Sequence, residues 1–427
     1  MLQKSLAVAS LCLACVFGSA VRSNAQSAVP MGSHPMEATN FSFECMIDSS
    51  CGNKGSWIAT TSQPGTVRLW DSGTNWALLE TAAGKYDWSN LDAWLDLIAK
   101  HQPTAVIYTF GHVPCWISNP CTSSSPGGEV WSTAPPTDLG SGGSAAFKNF
   151  VTALTTHCSA AGHCVKNYIK YWEMWNEANL TTYWSGTPTQ LYDMFKPAVS
   201  IIRSNVSGAK VLTPPVCGGD RAWMTSWMDL ENANGKLSDF YAIHVYLRGN
   251  TPEERMGMVG RMLATKNSNG WTSIPWMNTE TGFDINTYVC SEFTLSECQG
   301  QLVRWHILQY AYQGGGGGAY LVSWFDWPTI GSGDYDTYYF TTMQWLAGAS
   351  FSSSCASNGN VWTCPMTESN GTAALIVWNA AGDSQYKPAS KYTSYKKFNG
   401  TYGGASTSVA TGENVTIGLM PVMFEAN

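Results

Sequence analysis

Charge is scarce in this 427-residue chain. Only 12% of its residues are Asp, Glu, Lys or Arg, and basic residues are the minority, 23 against 30 acidic. A net charge of −7 leaves no basic footprint for nucleic acid or an anionic membrane, so neither is an expected partner. Long apolar runs are equally sparse. Leu6 to Ala20 is too short for a stable bilayer anchor, and no later stretch is long and apolar enough to span one. The glycine run Gly314 to Gly318 lacks a following Lys-Ser or Lys-Thr and precedes a strand pattern. It is therefore not a phosphate loop but a helix-to-strand connection.

What is present begins with an export layout. Met1 to Ala25 carries Lys4, the apolar run, and then Ser23-Asn24-Ala25, which reads as a signal peptide cleaved before Gln26. Its removal takes Lys4 and Arg22 and shifts the net charge from −7 to −9. The mature protein is expected to be secreted, extracellular or periplasmic, and monomeric. Of 13 cysteines, Cys12 and Cys15 leave with the signal. Ten others form near neighbours: Cys45/Cys51, Cys115/Cys121, Cys158/Cys164, Cys290/Cys298 and Cys355/Cys364. In an oxidising compartment such pairs read as local disulfides, leaving Cys217 as a buried thiol. His157-Cys158 and His163-Cys164 have a spacing that zinc also uses, but the compartment and the other pairs favour oxidation. Neither metal nor cofactor is expected. The 20 Trp and 19 Tyr suit stacking on sugar rings, although large cores use aromatics as well.

The chain alternates strand and helix patterns. Strands are expected at Phe41–Ile47, Gly65–Trp70, Thr104–Phe110, Tyr168–Trp175, Lys210–Pro214, Phe240–Tyr246, Ile274–Asn278 and Tyr320–Trp324. Helical spacing falls between them, as at Trp88–Ala99, where Trp88, Leu91, Leu95 and Ile98 share a face. Eight such units imply an α/β protein whose parallel sheet closes as a (β/α)8 TIM barrel, spanning residues 26–346 with an N-terminal arm. After Trp345 the helical period stops, and residues 347–427 read as a small all-β module packed on the barrel.

Two strands end on carboxylates. Tyr171-Trp172-Glu173-Met174-Trp175-Asn176-Glu177 runs from apolar strand to a polar pair. Ile274-Pro275-Trp276-Met277-Asn278-Thr279-Glu280 repeats the design. The carboxyl ends of barrel strands are where such folds place chemistry, and a carboxyl among tryptophans suits a general acid. Paired carboxylates are what glycoside hydrolysis requires. Arg68 is a charge inside an apolar strand, so it needs a carboxylate partner. Glu173 is a candidate for that role, one layer below Glu177.

These residues resemble clan A of the glycoside hydrolases, retaining barrel enzymes. Val67-Arg68-Leu69-Trp70-Asp71 with Tyr86-Asp87-Trp88 and Leu91-Asp92 is most similar to glycoside hydrolase family 39, a family of β-xylosidases and endo-glycosidases. The resemblance implies a hydrolase cleaving β-linked poly- or oligosaccharide. Glu177 would be the acid/base and Glu280 the nucleophile. Asn176 would bind the sugar 2-OH. Arg68 would pair with Glu280 and depress its pKa. Tyr246 would hold Glu280, with His244 beside it. Trp324 would be the platform under the scissile sugar, and His112 would meet sugar hydroxyls. Trp70, Trp116 and Trp184 follow strand ends as further subsite candidates, and Asp326 and Trp327 lie just beyond Trp324. The C-terminal module resembles the β-sandwich beside many such barrels. The alternative is a non-catalytic carbohydrate-binding barrel.

Overall fold

The computed structural model describes residues 36–40, 65–70, 72–121, 123–124, 130–283, 290–314, 317–325, 335–398 and 404–426. Eight strands organise it: β1 (Met36–Asn40), β2 (Thr66–Leu69), β3 (Ala105–Thr109), β4 (Tyr171–Glu173), β5 (Lys210–Leu212), β6 (Tyr241–His244), β7 (Trp276–Thr281) and β8 (Leu321–Trp324). All pair in parallel, in the order β6-β7-β8-β1-β2-β3-β4-β5. The two strands that end this order meet through a parallel bridge between Leu212 and Phe240. Thr213 N donates to Phe240 O there at 3.0 Å.

Helices follow the strands: α1 (Ser89–His101), α2 (Ala145–Thr156), α3 (Pro188–Asn205), α4 (Arg221–Asn234), α5 (Pro252–Ser268), α6 (Leu295–Ala311) and α7 (Asp336–Leu346). Their starts are written locally. Thr187/Gln190, Thr251/Glu254 and Thr294/Glu297 each form a reciprocal capping box, and Pro188 and Pro252 occupy first-turn positions that need no N–H donor.

Alternation along the strands builds two layers. Val67, Val106, Trp172, Val211, Tyr241, Trp276 and Val322 face outward into the core beneath the helices. Ala105, Ile107, Leu212, Phe240, Ala242, Met277 and Leu321 face inward as an apolar plug. The polar inward residues sit above that plug, at the carboxyl ends of the strands.

Several boundaries differ from expectation. The first strand is Met36–Asn40, which pairs with β8 and β2, and Phe41–Ile47 lies outside the described residues. β4 is only three residues long, because Val165–Tyr168 forms a helical turn and the chain leaves the sheet after Glu173. β7 runs further than expected, through Glu280 to Thr281.

Beyond α7 the elements of the described residues are all β-strands. Ser350–Phe351, Ala356–Asn358, Val361–Thr367, Ala373–Asn379, Tyr392–Lys397, Ala405–Ser408 and Val422–Ala426 form one antiparallel sheet. Ser384–Tyr386 and Val415–Ile417 form a separate two-stranded ladder. Cys364, Met366, Ile376, Trp378 and Met423 of this region belong to the same apolar cluster as the residues beneath the helices.

Disulfides close Cys115–Cys121, Cys158–Cys164, Cys290–Cys298 and Cys355–Cys364, while Cys217 is buried, with Arg248 Nη2 3.8 Å from its sulfur. Cys45 and Cys51 lie outside the described residues. With Cys158 and Cys164 oxidised to each other, His157 bonds Asp92 at 2.5 Å and His163 bonds Asp96 at 2.7 Å. The two imidazoles serve separate aspartates of α1 and do not converge.

Candidate active site

Arg68 anchors the polar layer. Its position on β2 points it inward, where it is completely buried. Nε and Nη2 donate to Glu173 Oε2 at 2.9 and 2.5 Å. Nη1 donates to Glu280 Oε2 at 2.8 Å, and Nη2 also to Asn176 Oδ1 at 2.8 Å. Both carboxylates considered as partners of Arg68 therefore hold it at once. Thr109, at the end of β3, adds a 2.8 Å hydrogen bond to Glu173 Oε2. Removing one member of such a buried, paired set costs about 3–5 kcal/mol, because the remaining charge is left uncompensated.

Glu177 reaches this layer through strained backbone, not through strand parity. Trp175 has φ of 79° and Glu177 of 40°, left-handed values that non-glycine residues rarely adopt. The two flank Asn176 and turn the chain off the end of β4, so that Asn176 and Glu177 both face the polar layer. Strain of this kind persists only where the surroundings enforce it, and it gathers at functional sites.

Glu280 is aimed by a bulge. Met277 points inward and Asn278 outward, where its Nδ2 donates to Gln309 of α6 at 2.8 Å. Regular alternation would then send Glu280 outward. Instead the register of β7 shifts against both β6 and β8 around Thr279. The extra residue turns Glu280 inward and Thr281 outward, where Thr281 Oγ1 accepts from Trp305 Nε1 at 2.7 Å. A one-residue slip exchanges the two faces of a strand, and bulges commonly re-aim a side chain this way.

His244, the last residue of β6, lies between the two acids. Its Nδ1 is 2.9 Å from Glu177 Oε1 and 3.9 Å from Glu280 Oε1. The expected place beside Glu280 is thus shared, with Glu177 the nearer partner. Nε2 is 3.5 Å from Arg68 Nη2. A guanidinium can only donate, so Nε2 carries the lone pair and Nδ1 carries the proton. His244 therefore donates to Glu177. Burial and then the Arg68 charge hold its pKa well below the usual histidine range, so the ring is neutral. The Tyr246 hydroxyl donates to Glu280 Oε1 at 2.7 Å. Burial pushes the Glu280 carboxyl upward, and Arg68 and Tyr246 offset that only in part. This corrects the expected net depression by Arg68: desolvation of a carboxylate inside the sheet outweighs one shared guanidinium.

One oxygen of Glu177, one nitrogen of His244 and one oxygen of Glu280 lie within 4.8 Å of one another. The set has the composition of a cation site. A second cation there would face the fixed charge of Arg68, which already binds Glu280, and the proton on His244 Nδ1. The arrangement favours proton transfer and attack on carbon over metal binding.

Trp324 is not in the cleft. Leu321 faces inward, so parity sends Trp324 outward, where it is fully buried and stacks on His306 of α6 with ring centroids 5.5 Å apart. The expected sugar platform is a core residue. The next residue, Phe325, clusters with Tyr246 and Cys217 on the cleft side, a position that counting alternation from Leu321 would have found. Trp184 is also core, packed on Trp175 and donating Nε1 to Thr187 O. Trp116 donates Nε1 to Glu80 O at 2.9 Å. Asp71, Asp326 and Trp327 lie outside the described residues.

His112 follows β3 with φ of 58°. Its ring stacks on Trp131 at 4.0 Å and lies 5.3 Å from Trp70, whose indole occupies the space that the missing side chain of Gly111 leaves open. Neither ring nitrogen has a hydrogen-bond partner among the described residues, and burial lowers its pKa to about 3.

No protein-family model matches the chain, and no curated protein sequence does. Its fold is similar to those of solved glycoside hydrolases. A glucosidase from Croceicoccus marinus superposes with a TM-score of 0.57 at 14% identity, over 95% of this chain and 99% of that one. A glycoside hydrolase family 30 subfamily 8 xylanase from Clostridium acetobutylicum gives 0.54 at 13% identity, over 95% and 100%. The GH39 enzyme from Xanthomonas axonopodis pv. citri gives 0.51 at 14% identity, over 94% and 95%. At these identities the likeness is one of fold.

Proposed function

We propose that this chain is a secreted retaining glycoside hydrolase. It folds as a (β/α)8 barrel with a β-sandwich packed on it and cleaves β-linked poly- or oligosaccharide. One observation carries the reading: carboxylate oxygens of Glu177 and Glu280 lie within 4.8 Å of each other. That spacing suits double displacement, for which the two carboxyl groups stand about 5–5.5 Å apart, and leaves no room for the interposed water of inversion, which needs about 6.5–9.5 Å. The family 39 and family 30 likenesses in fold are compatible with it.

In the first half-reaction a Glu280 oxygen attacks the anomeric carbon. The bond to the leaving oxygen breaks, its electron pair stays on that oxygen, and the Glu177 proton neutralises it. His244 donates to Glu177 Oε1, which leaves that proton to Oε2. In the second half Glu177 takes a proton from water, the water oxygen attacks the same carbon, and the ester bond to Glu280 breaks. Tyr246 and Arg68 each donate to one Glu280 oxygen and fix the carboxylate for attack. With Asn176 Oδ1 held by Arg68, its Nδ2 is the group turned to a sugar hydroxyl.

The test uses β-glucans, xylans and mannans, with the best substrate followed by NMR. The product should appear first as the β anomer. Glu280→Ala should abolish turnover, and azide should restore it as the α-glycosyl azide. First appearance of the α product, or undiminished turnover by the variant, overturns the assignment. Binding of oligosaccharide without product, by the wild type, would favour the non-catalytic alternative.

A further inference from the structure

The buried layer holds more carboxyls than the reaction consumes. Arg68, Glu173, Glu177 and Glu280 bring three acids against one cation, and His244 is neutral. Glu173 has no access to a substrate. It is fully buried, and Oε2 takes the Nε and Nη2 donors of Arg68 and the Thr109 hydroxyl. Below it lie Ile107, Leu212, Met277 and their apolar neighbours, a low-dielectric setting in which its charge acts strongly. The groups facing it among the described residues are Arg68 of β2, Thr109 of β3, Asn176 of its own chain end, His244 of β6 and Glu280 of β7.

We propose that Glu173 is a positioning residue that neutralises the Arg68 guanidinium, so that the site carries one negative charge through both halves of the reaction. The inference rests on the assignment of Glu177 and Glu280 made above. In the resting site Arg68 is positive, Glu173 and Glu280 negative, and Glu177 protonated. In the glycosyl-enzyme Glu280 is an uncharged ester and Glu177 is negative, so the sum is unchanged. Without Glu173 the whole guanidinium charge falls on whichever catalytic carboxylate is ionised. It then stabilises Glu280 before attack, weakening it as a nucleophile, and stabilises ionised Glu177, leaving less of it protonated for the leaving group and weakening it as the base of the second half. The geometry also divides Arg68 by edge: two nitrogens to Glu173, the third to Glu280. That division fixes the direction from which Glu280 is held.

The substrate-free test is the carboxyl titration of Glu280 by NMR on glutamate-labelled protein, with the resonance assigned through Glu280→Gln. In Glu173→Gln the Glu280 midpoint should fall by about one pH unit. Glu173→Asp should keep it near the wild-type value. On whichever polysaccharide the wild type degrades, both limbs of the kcat/KM profile should move to lower pH together. A Glu280 midpoint that stays or rises in Glu173→Gln overturns the proposal, even if stability falls. Should that variant not fold, Glu173→Asp carries the test, since it keeps the carboxylate beside Arg68, and a Glu280 midpoint that falls there overturns the proposal. Absence of any polysaccharide turnover by the wild type counts against the hydrolase assignment and leaves the titration result to stand by itself.

Discussion

His244 donates its Nδ1 proton to Glu177 across 2.9 Å, and it is Arg68, on the far side of the ring, that decides which nitrogen does so. The imidazole thus links the cation of the site to its acid without carrying charge. His244→Ala should cut kcat/KM about 100-fold, equivalent to about 2.7 kcal/mol, since a positioned general acid contributes roughly 10²–10⁴. The loss should be greatest for substrates with poor leaving groups, which need the proton most. His244→Asn should recover part of it by supplying an amide donor. Steady-state kinetics across leaving groups checks both, and an even loss across them would contradict the role.

Three buried neutral histidines should make the fold sensitive to mild acid. Burial depresses His112 to about 3 and His306 to about 4, and His244 is also lowered. The unfolded chain binds these protons near pH 6.5, while the folded chain does not until far lower. Stability is therefore complete above about pH 6.5 and falls as pH drops below it, each ring contributing about 1.4 kcal/mol per pH unit. Glu280, raised by burial, works in the opposite direction and offsets part of this. Urea titrations between pH 7.5 and 5 should show the slope, and His112→Gln should reduce it by one proton. An unchanged slope in that variant would show that His112 takes up its proton in the folded state.

The Thr279 bulge separates residue count from side chain. Thr279 is buried and its hydroxyl has no partner among the described residues. Thr279→Val should keep activity and leave stability level or higher, because it removes an unsatisfied polar atom of similar shape. Deleting Thr279 should restore regular pairing and leave Glu280 inward, in register with His244 and directly after the outward Asn278, with activity retained in part. Inserting one residue after Thr279 should instead turn Glu280 outward, with activity lost. An insertion variant that still cleaves substrate would mean that residue count at the bulge does not aim the carboxylate.

Glu253 should be the costliest contact between α5 and the C-terminal sheet. Its Oε1 accepts from Arg304 Nη1 at 2.8 Å and from Trp378 Nε1 at 2.7 Å. Glu253→Ala strands a buried guanidinium and should cost about 3–5 kcal/mol. Trp378→Phe removes one hydrogen bond to a charged group and should cost about 1.5–3 kcal/mol. Chemical denaturation distinguishes the two, and equal losses would place the effect in packing.

The alternation of strand and helix is readable because most of the strands carry an apolar run. The two catalytic candidates were readable because acids interrupt such runs at their carboxyl ends. What aims them was not. A period of two cannot reveal an inserted residue, so the inward turn of Glu280 past Asn278 is invisible in the letters. Trp324 lies in the core for the opposite reason: the strand is regular, and Leu321 inward already determines Trp324 outward. Met36–Asn40 gives no strand signal because Met-Glu-Ala-Thr-Asn has little strand character of its own. Its pairing with β8 and β2 overrides that weak local preference.

Val67 and Met423 sit in one unbroken apolar interior, although one lies on the central sheet and the other near the chain's end. An accessory that could be cut away and still grip a polysaccharide would need a heart of its own. A shared interior should make both regions melt together, so calorimetry should record one heat-absorption peak, and whatever loosens the tail should be felt at the layer that holds Glu177 and Glu280.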